Sequence, residues 1–257
     1  MFSLQGDVVA VVGAASGIGE AVARGAALQG AHVVALDVDE HGLKAVHGRI
    51  QEAGGAAEWR LLDIRKRAEV HAAFLDVRDR LGGLHGVVCT PGVNVRKRII
   101  DYTDAELDRV IDLNLKGGFH VLQAAGKIMS EQKKGSIVLF SSIRSQVVEP
   151  GQSVYAATKA GIVQMARTAA AELGLSGVRV NAVAPGVVET PLTVPIQSNL
   201  EWYRAYAEKN ALKRWASAEE LVGPTLFLLT EASSYVTGTV LFVDGGWTAV
   251  DGRYDPP

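Results

Sequence analysis

Three side chains stand at spacings that could move a proton. Tyr155 and Lys159, in Tyr155-Ala156-Ala157-Thr158-Lys159, are four residues apart, which on a helix puts phenol and ammonium on one face. A free phenol titrates near 10 and is a poor base at neutral pH, whereas a nearby cation stabilises the phenolate and lowers that value. A tyrosine so tuned can take a proton from an alcohol, or return it to a ketone, while hydride moves between carbon and a nicotinamide. Such a pair alone is common by chance. Ser142, which ends the run Ile137-Val138-Leu139-Phe140-Ser141, lies thirteen residues upstream of Tyr155 and makes the pattern more specific.

A second constellation would hold the nicotinamide. Gly13-Ala14-Ala15-Ser16-Gly17-Ile18-Gly19 follows a strand-like Val8–Val12 and precedes the helix-forming Glu20-Ala21-Val22-Ala23-Arg24. Glycines there allow a tight turn and close backbone approach, and a helix N-terminus offers free N–H groups and partial positive charge to a pyrophosphate. The next strand ends in Leu36-Asp37, at the distance expected of an acid that binds an adenosine ribose. Against the 2′-phosphate of NADP, Asp37 would cost roughly 4 kcal/mol per unit charge pair at 4 Å and an effective dielectric of 20. No Arg or Lys lies in the glycine loop or directly beside Asp37, so NAD is the expected cofactor. Asp63, in Leu62-Asp63-Ile64, either caps the following helix or bonds to the adenine amino group.

The elements that must position these residues are legible as an alternation. β-Branched runs recur at Val8–Val12, His32–Leu36, Gly86–Cys89, Ile137–Phe140, Val178–Val183 and Val240–Val243, with mostly helical periodicity between them. That pattern predicts an α/β fold, a doubly wound parallel sheet of the Rossmann type with helices on both faces, in a single domain over residues 1–257. The segment from Thr190 to Arg214 reads as an inserted helical lid with Trp202, Tyr203 and Tyr206 on its apolar face. The helix from about Gln152 to Leu173 is apolar around its whole circumference and must be covered on both sides. Ala156, Ala160, Val163 and Ala170 would let a second helix approach, so a homo-oligomer is expected.

Composition excludes other classes. The 257 residues are 48% hydrophobic and 21% charged, with a net charge of −2, so no basic field exists to hold nucleic acid. No apolar run reaches the length of a membrane span, and the first residues carry no signal-like pattern. Cys89 is the only cysteine, which rules out an internal disulfide and agrees with a reducing, cytoplasmic setting. Its place at the end of an apolar strand reads as a small buried hydrophobe. The histidines show no metal-ligand spacing, and no metal is expected.

The glycine loop, the Ser142, Tyr155 and Lys159 spacing, Asn114 in Asn114-Leu115-Lys116-Gly117, and Asn181-Ala182-Val183-Ala184-Pro185-Gly186 together resemble the short-chain dehydrogenase/reductase family. The resemblance runs from Gly6 to Gly246. It implies that Tyr155 is the general acid/base, that Lys159 lowers its pKa and bonds the nicotinamide ribose, and that Ser142 orients the substrate oxygen. Asn114 would shape the active-site helix and hold a water in a proton relay. Gly13, Ser16, Gly17, Ile18, Gly19, Asp37, Asp63, Ile64, Thr90 and Gly92 would contact the cofactor. Pro185, Gly186, Val188 and Thr190 would line its nicotinamide half. Members of the family are typically tetramers or dimers, so a homotetramer or dimer is implied. Two departures stand out: Val12 replaces the usual threonine before the first glycine, and Cys89-Thr90-Pro91-Gly92 replaces the usual Asn-Asn-Ala-Gly. Thr90 could supply part of what the asparagine does.

The substrate wall reads as polar. Arg144, Gln146, Glu149 and Gln152 fall between Ser142 and Tyr155, with Arg144 and Gln152 as candidate substrate ligands. A steroid or acyl chain would need apolar lining, so a sugar, polyol or hydroxy acid is the expected alcohol or ketone. Arg96-Lys97-Arg98 is either a draw for an anionic substrate or a solvated surface run. The main rival is an NADPH-dependent 3-oxoacyl thioester reductase, which shares the catalytic motifs; a further one is a cofactor-sensing module without chemistry. The tail from Trp247 to Pro257 either reaches a neighbouring subunit, as in some relatives, or stays disordered.

Overall fold

β-Branched runs become strands because their stiff side chains pack well on a pleated surface. The computed structural model describes residues 1–251. Its strands are β1 (Val8–Val12), β2 (His32–Asp37), β3 (Ala56–Leu61), β4 (Gly86–Cys89), β5 (Gly135–Phe140), β6 (Val178–Pro185) and β7 (Val240–Val243). All pair in parallel, in the order β3-β2-β1-β4-β5-β6-β7. The helices are α1 (Gly17–Leu28), α2 (Glu40–Glu52), α3 (Arg67–Leu81), α4 (Asp104–Ile111), α5 (Gly118–Gln132), α6 (Ser153–Leu173), α7 (Val194–Gln197), α8 (Leu200–Lys209) and α9 (Val222–Leu229). The strand order reverses beside β1, which opens a crevice at the C-terminal ends of β1 and β4.

Two apolar layers sandwich the sheet. Along β1, Val8, Ala10 and Val12 face a cluster with α3, α5 and α6, while Val9 and Val11 face another with α1, α2 and α9. Both faces of β1 are thus buried, and its sequence is apolar at every position. β3 is different: it is one of the two edge strands, half-exposed, and Ala56-Ala57-Glu58-Trp59-Arg60-Leu61 has no β-branched residue. That is why it does not appear among the expected runs. Among the described residues, no helix is long and apolar enough to cross a membrane.

α6 corrects one expectation. Ala156, Val163 and Ala170 are already buried within the chain and cannot receive a second helix, while Ala160 is half-buried. The outward face carries Ala157, Gln164 and Thr168 instead, beside the exposed Phe119 of α5. The segment 190–214 is helical as expected, with a short turn at Pro191–Thr193 followed by α7 and α8. Of the C-terminal tail, residues 252–257 lie outside the described residues.

The end of β6 is pinned by a buried asparagine. Asn181 Nδ2 donates to Val236 O at 2.9 Å, and its Oδ1 accepts from Thr239 N at 3.1 Å, tying the strand to the turn that feeds β7. Asn181→Ala removes both bonds, and the expected loss is about 2 kcal/mol of unfolding free energy in a urea titration; an unchanged midpoint would contradict this role.

Candidate active site

The glycine loop lines a cavity of about 290 Å³ with Asp37, Asp63, Ile64, Thr90, Gly92 and Thr190. Its glycines leave room for nothing else. A Cβ on Gly19 would meet Gly13 O at 2.0 Å, and one on Gly13 would meet Thr90 Oγ1 at 2.3 Å. Gly13 and Gly17 also take φ of +82° and +56°, where side chains with a Cβ are strained. The first-turn N–H groups of α1 have no intrahelical partner, and Ser16, Gly17, Ile18 and Gly19 all line the cavity. An anionic pyrophosphate suits such a cradle.

Asp37 is built into the same wall. Its Oδ2 accepts from Ala15 N at 3.1 Å, and its Oδ1 accepts from Val38 N at 2.7 Å and Asp39 N at 3.1 Å. The carboxylate therefore fixes the loop as well as facing the cleft. Among the described residues, those lining the cleft include Asp37 and Asp63 and no Arg or Lys. Asp63 does not cap α3, whose N-cap is Lys66 without a side-chain bond. Instead Arg65 grips the Asp63 carboxylate through Nε at 2.9 Å and Nη2 at 2.7 Å, and this pairing holds the carboxyl below its usual range.

Thr90 answers the missing threonine of β1. Its N–H and its Oγ1 both donate to Val12 O, at 3.1 and 2.9 Å, so β4 is tied to β1 from the other side. Cys89 is buried, and burial pushes its thiol up to about 12, which removes it from chemistry near neutral pH. Among the described residues, no group of three His, Cys, Asp or Glu side chains could hold a metal.

The residues expected to move a proton come together at the start of α6. Lys159 is only 3% exposed, and its Nζ donates to Phe140 O at 2.9 Å, 5.5 Å from the centre of the Tyr155 ring. Burial pulls the ammonium down to about 8. Burial also pushes the Tyr155 phenol up, opposed by its hydrogen bond with Ser142 and by the charges of Arg144 and Arg96. The expected lowering by Lys159 is not found: the groups that pull the phenol down are Ser142, Arg144 and Arg96, while the ammonium is turned to Phe140 O. Asn114 sits in a π-helical turn, Asp112–Gly117, a break that aims its side chain inward. Its Oδ1 accepts from Val93 N at 2.8 Å and its Nδ2 donates to Val93 O at 2.9 Å and Thr158 Oγ1 at 3.2 Å.

A second cavity, of about 320 Å³, opens above Tyr155 and Ser142 and shares Leu192 with the first. Arg144 and Gln152 line it, as do Arg96, Asn94, Gly186 and Tyr206. The sequence singled out Glu149 only as one polar residue of the wall; the structure makes it the hub that Arg96, Arg144, Gln152 and Tyr206 all donate to. Asn94 and Tyr206 as wall residues were missed, since neither belongs to a spaced motif. Pro185, Val188 and Lys159 line neither cavity. The Val188 side chain is in the core at 3% exposure, so it could meet a ligand only through its backbone.

A family model described as enoyl-(acyl carrier protein) reductase matches residues 13–248. The chain is 38% identical over 244 residues to a cis-4-hydroxycyclohexanecarboxylate dehydrogenase of Sinomonas cyclohexanicum, covering 95% of this chain and 97% of that protein. It is 35% identical over 243 residues to a 3-oxoacyl-[acyl-carrier-protein] reductase of Thermotoga maritima, covering 95% and 98%. Among solved structures, a gluconate 5-dehydrogenase from Burkholderia cenocepacia in complex with NADP and tartrate superposes with a TM-score of 0.94 at 30% identity, covering 97% of this chain and 98% of that one. The chain belongs to the short-chain dehydrogenase/reductase family and is an oxidoreductase of alcohol or ketone substrates.

Proposed function

We propose that the protein is an NAD-dependent dehydrogenase that interconverts a polar secondary alcohol, such as a sugar, polyol or hydroxy acid, and its ketone. The observation that carries this is the meeting of Tyr155, Ser142 and Lys159 where the glycine-loop cleft adjoins a cavity walled by Arg96, Arg144 and Gln152. The cradle fits a dinucleotide, which when bound supplies the acceptor for the hydride of the carbinol carbon. In this reading the loop from Gly13 through Ser16 to Gly19 holds the pyrophosphate by backbone N–H groups. Asp37 takes the adenosine ribose, Asp63 and Ile64 flank the adenine, and Thr90 and Gly92 border the second ribose. Pro185, Gly186, Val188 and Thr190 flank the nicotinamide.

Tyr155 Oη accepts the hydroxyl proton of the alcohol as the C–H electron pair leaves carbon, and returns it in the reverse direction. The Ser142 hydroxyl holds the substrate oxygen beside it. Lys159 contributes positive charge beneath the phenol, and Asn114 positions the turn that frames it. The 190–214 segment serves as the lid of one dehydrogenase domain, and the outward face of α5 and α6 is where a homotetramer or dimer forms. Asp37, with no cation lining its cleft among the described residues, supports NAD over NADP. A 3-oxoacyl thioester reductase using NADPH is the second reading, favoured by the identity to the Thermotoga maritima enzyme.

Purified protein incubated with NAD and a panel of sugars, polyols and hydroxy acids should reduce NAD with one polar class. Tyr155→Phe should lose about 10²- to 10⁴-fold in kcat while keeping cofactor affinity. Turnover confined to ketoacyl thioesters with NADPH would replace this reading by the reductase. Asp37→Ala should narrow the NAD-to-NADP preference by about 100-fold or more, as removal of one charge pair of this size implies; an unchanged preference would remove Asp37 from cofactor selection.

Lys159 makes a pH prediction of its own. Its folded pKa, about 8, lies below the ordinary 10.5, so between these values the unfolded chain holds the extra proton and stability rises with pH. Below about 8 both forms are charged and the full cost of burial remains. Urea titrations from pH 7.5 to 10 should show a rise of up to about 3 kcal/mol in the parent protein that is absent in Lys159→Met; parallel curves would contradict it.

A further inference from the structure

The second cavity carries a charge that its own walls do not balance. Arg96 Nη1 donates to Glu149 Oε1 at 2.6 Å, and Arg144 Nη2 donates to Oε2 of the same carboxylate at 2.8 Å. Gln152 Nε2 and Tyr206 Oη donate to Oε1 as well. One carboxylate thus answers two guanidinium groups, an amide and a phenol, and the set keeps one positive charge.

The guanidinium groups are also only partly satisfied. Within the described residues, Nε and Nη1 of Arg144 make no hydrogen bond. Arg144 is 6% exposed, and it lines the second cavity together with Arg96. Arg96 Nε and Nη2 make no hydrogen bond either. One buried guanidinium, Arg144, is enough to neutralise Glu149, and the partly exposed Arg96 adds a second positive charge to the same wall.

Both planes are held before any ligand arrives. The Arg144 guanidinium lies 5.5 Å from the centre of the Trp247 ring, and that of Arg96 lies 4.9 Å from the centre of Trp202. Stacking of this kind fixes the orientation of the fork. In the same wall, Asn94 Nδ2 donates to Gln152 Oε1 at 3.0 Å, which holds the Gln152 amide in place.

We propose that the substrate is a hydroxy carboxylate, its carboxylate set against the open edges of Arg144 and Arg96 and its secondary hydroxyl presented to Tyr155 and Ser142. This deepens, and rests on, the reading of Tyr155 given above. A guanidinium fork matches a carboxylate in shape and charge, which a neutral polyol cannot use. Glu149 is then a specificity residue: it orients both forks and repels a ligand whose negative charge is wrongly placed.

Binding separates this claim from turnover. Calorimetric titration of the NADH-loaded protein compares tartrate with threitol, the same two-carbon diol core carrying hydroxymethyl groups in place of carboxylates. Tartrate should bind at least about tenfold more tightly, and Arg144→Gln and Arg96→Gln should each narrow that preference by about tenfold. Arg96 is one-third exposed in its side chain, so the second variant folds even where the first does not. Equal binding of the two ligands, or a preference unchanged in Arg96→Gln, would overturn the proposal. If the preference behaves as expected but no hydroxy acid is oxidised with NAD, the carboxylate site stands and the dehydrogenase reading fails.

Discussion

A lysine ammonium held out of water at the C-terminal edge of the sheet constrains everything around it. Charge in such a place is tolerated only with a hydrogen-bond partner and close, polar surroundings, and Phe140 O at 2.9 Å supplies the partner. The backbone is shaped to keep it there. Ser141 Oγ donates to Lys159 O at 2.8 Å, locking α6 onto the end of β5, and Gly92 leaves space where a Cβ would come within 3.2 Å of Nζ. Asn114, reaching out of its π-helical turn to Thr158 and Val93, fixes the other side. Small residues along α6 follow from the same demand, because a helix that carries a buried lysine and a half-buried tyrosine must lie close against the strands.

The two cavities are joined through the segment after β6. Thr190 and Pro191 wall the cofactor cleft, Thr193 and Ile196 wall the other cavity, and Leu192 serves both. This segment is held by its own hydrogen bonds, Thr193 Oγ1 to Val188 O at 2.8 Å among them, and by an aromatic cluster. Tyr203 stacks on Trp215 at 4.9 Å, and Tyr206 meets Trp215 and Trp247 at 5.9 and 5.5 Å. Tyr206 also donates to Glu149, so α8 and the charged wall share a contact. A ligand that rearranges the arginine pair would be felt by α8.

What could be read in the residues beforehand divides along physical lines. Fully buried strands such as β1 announce themselves, since both faces demand apolar side chains; β3, an exposed edge with Glu58 and Arg60, does not. The cleft of Gly13 to Gly19 with Asp37 was legible because backbone approach leaves few residue choices. The faces of α6 were not, because a helix apolar all round gives no phase, and the positions named for a partner turned inward. Glu149 was visible as polar but not as a hub: its partners Arg96 and Tyr206 are 53 and 57 residues away in sequence, and no spacing rule links them. The tuning of Tyr155 was expected from Lys159 alone, whereas burial, Ser142 and the two arginines are what act on it.

The proposed chemistry requires the carbinol carbon and the dinucleotide to meet beside Tyr155 with no water between them. Following the fate of deuterium from a hydroxy acid labelled on its carbinol carbon, by mass spectrometry after turnover with NAD, tests that contact. Direct transfer puts the label on the reduced dinucleotide and none in solvent. Label released to water, or ketone formed without labelled dinucleotide, would contradict it.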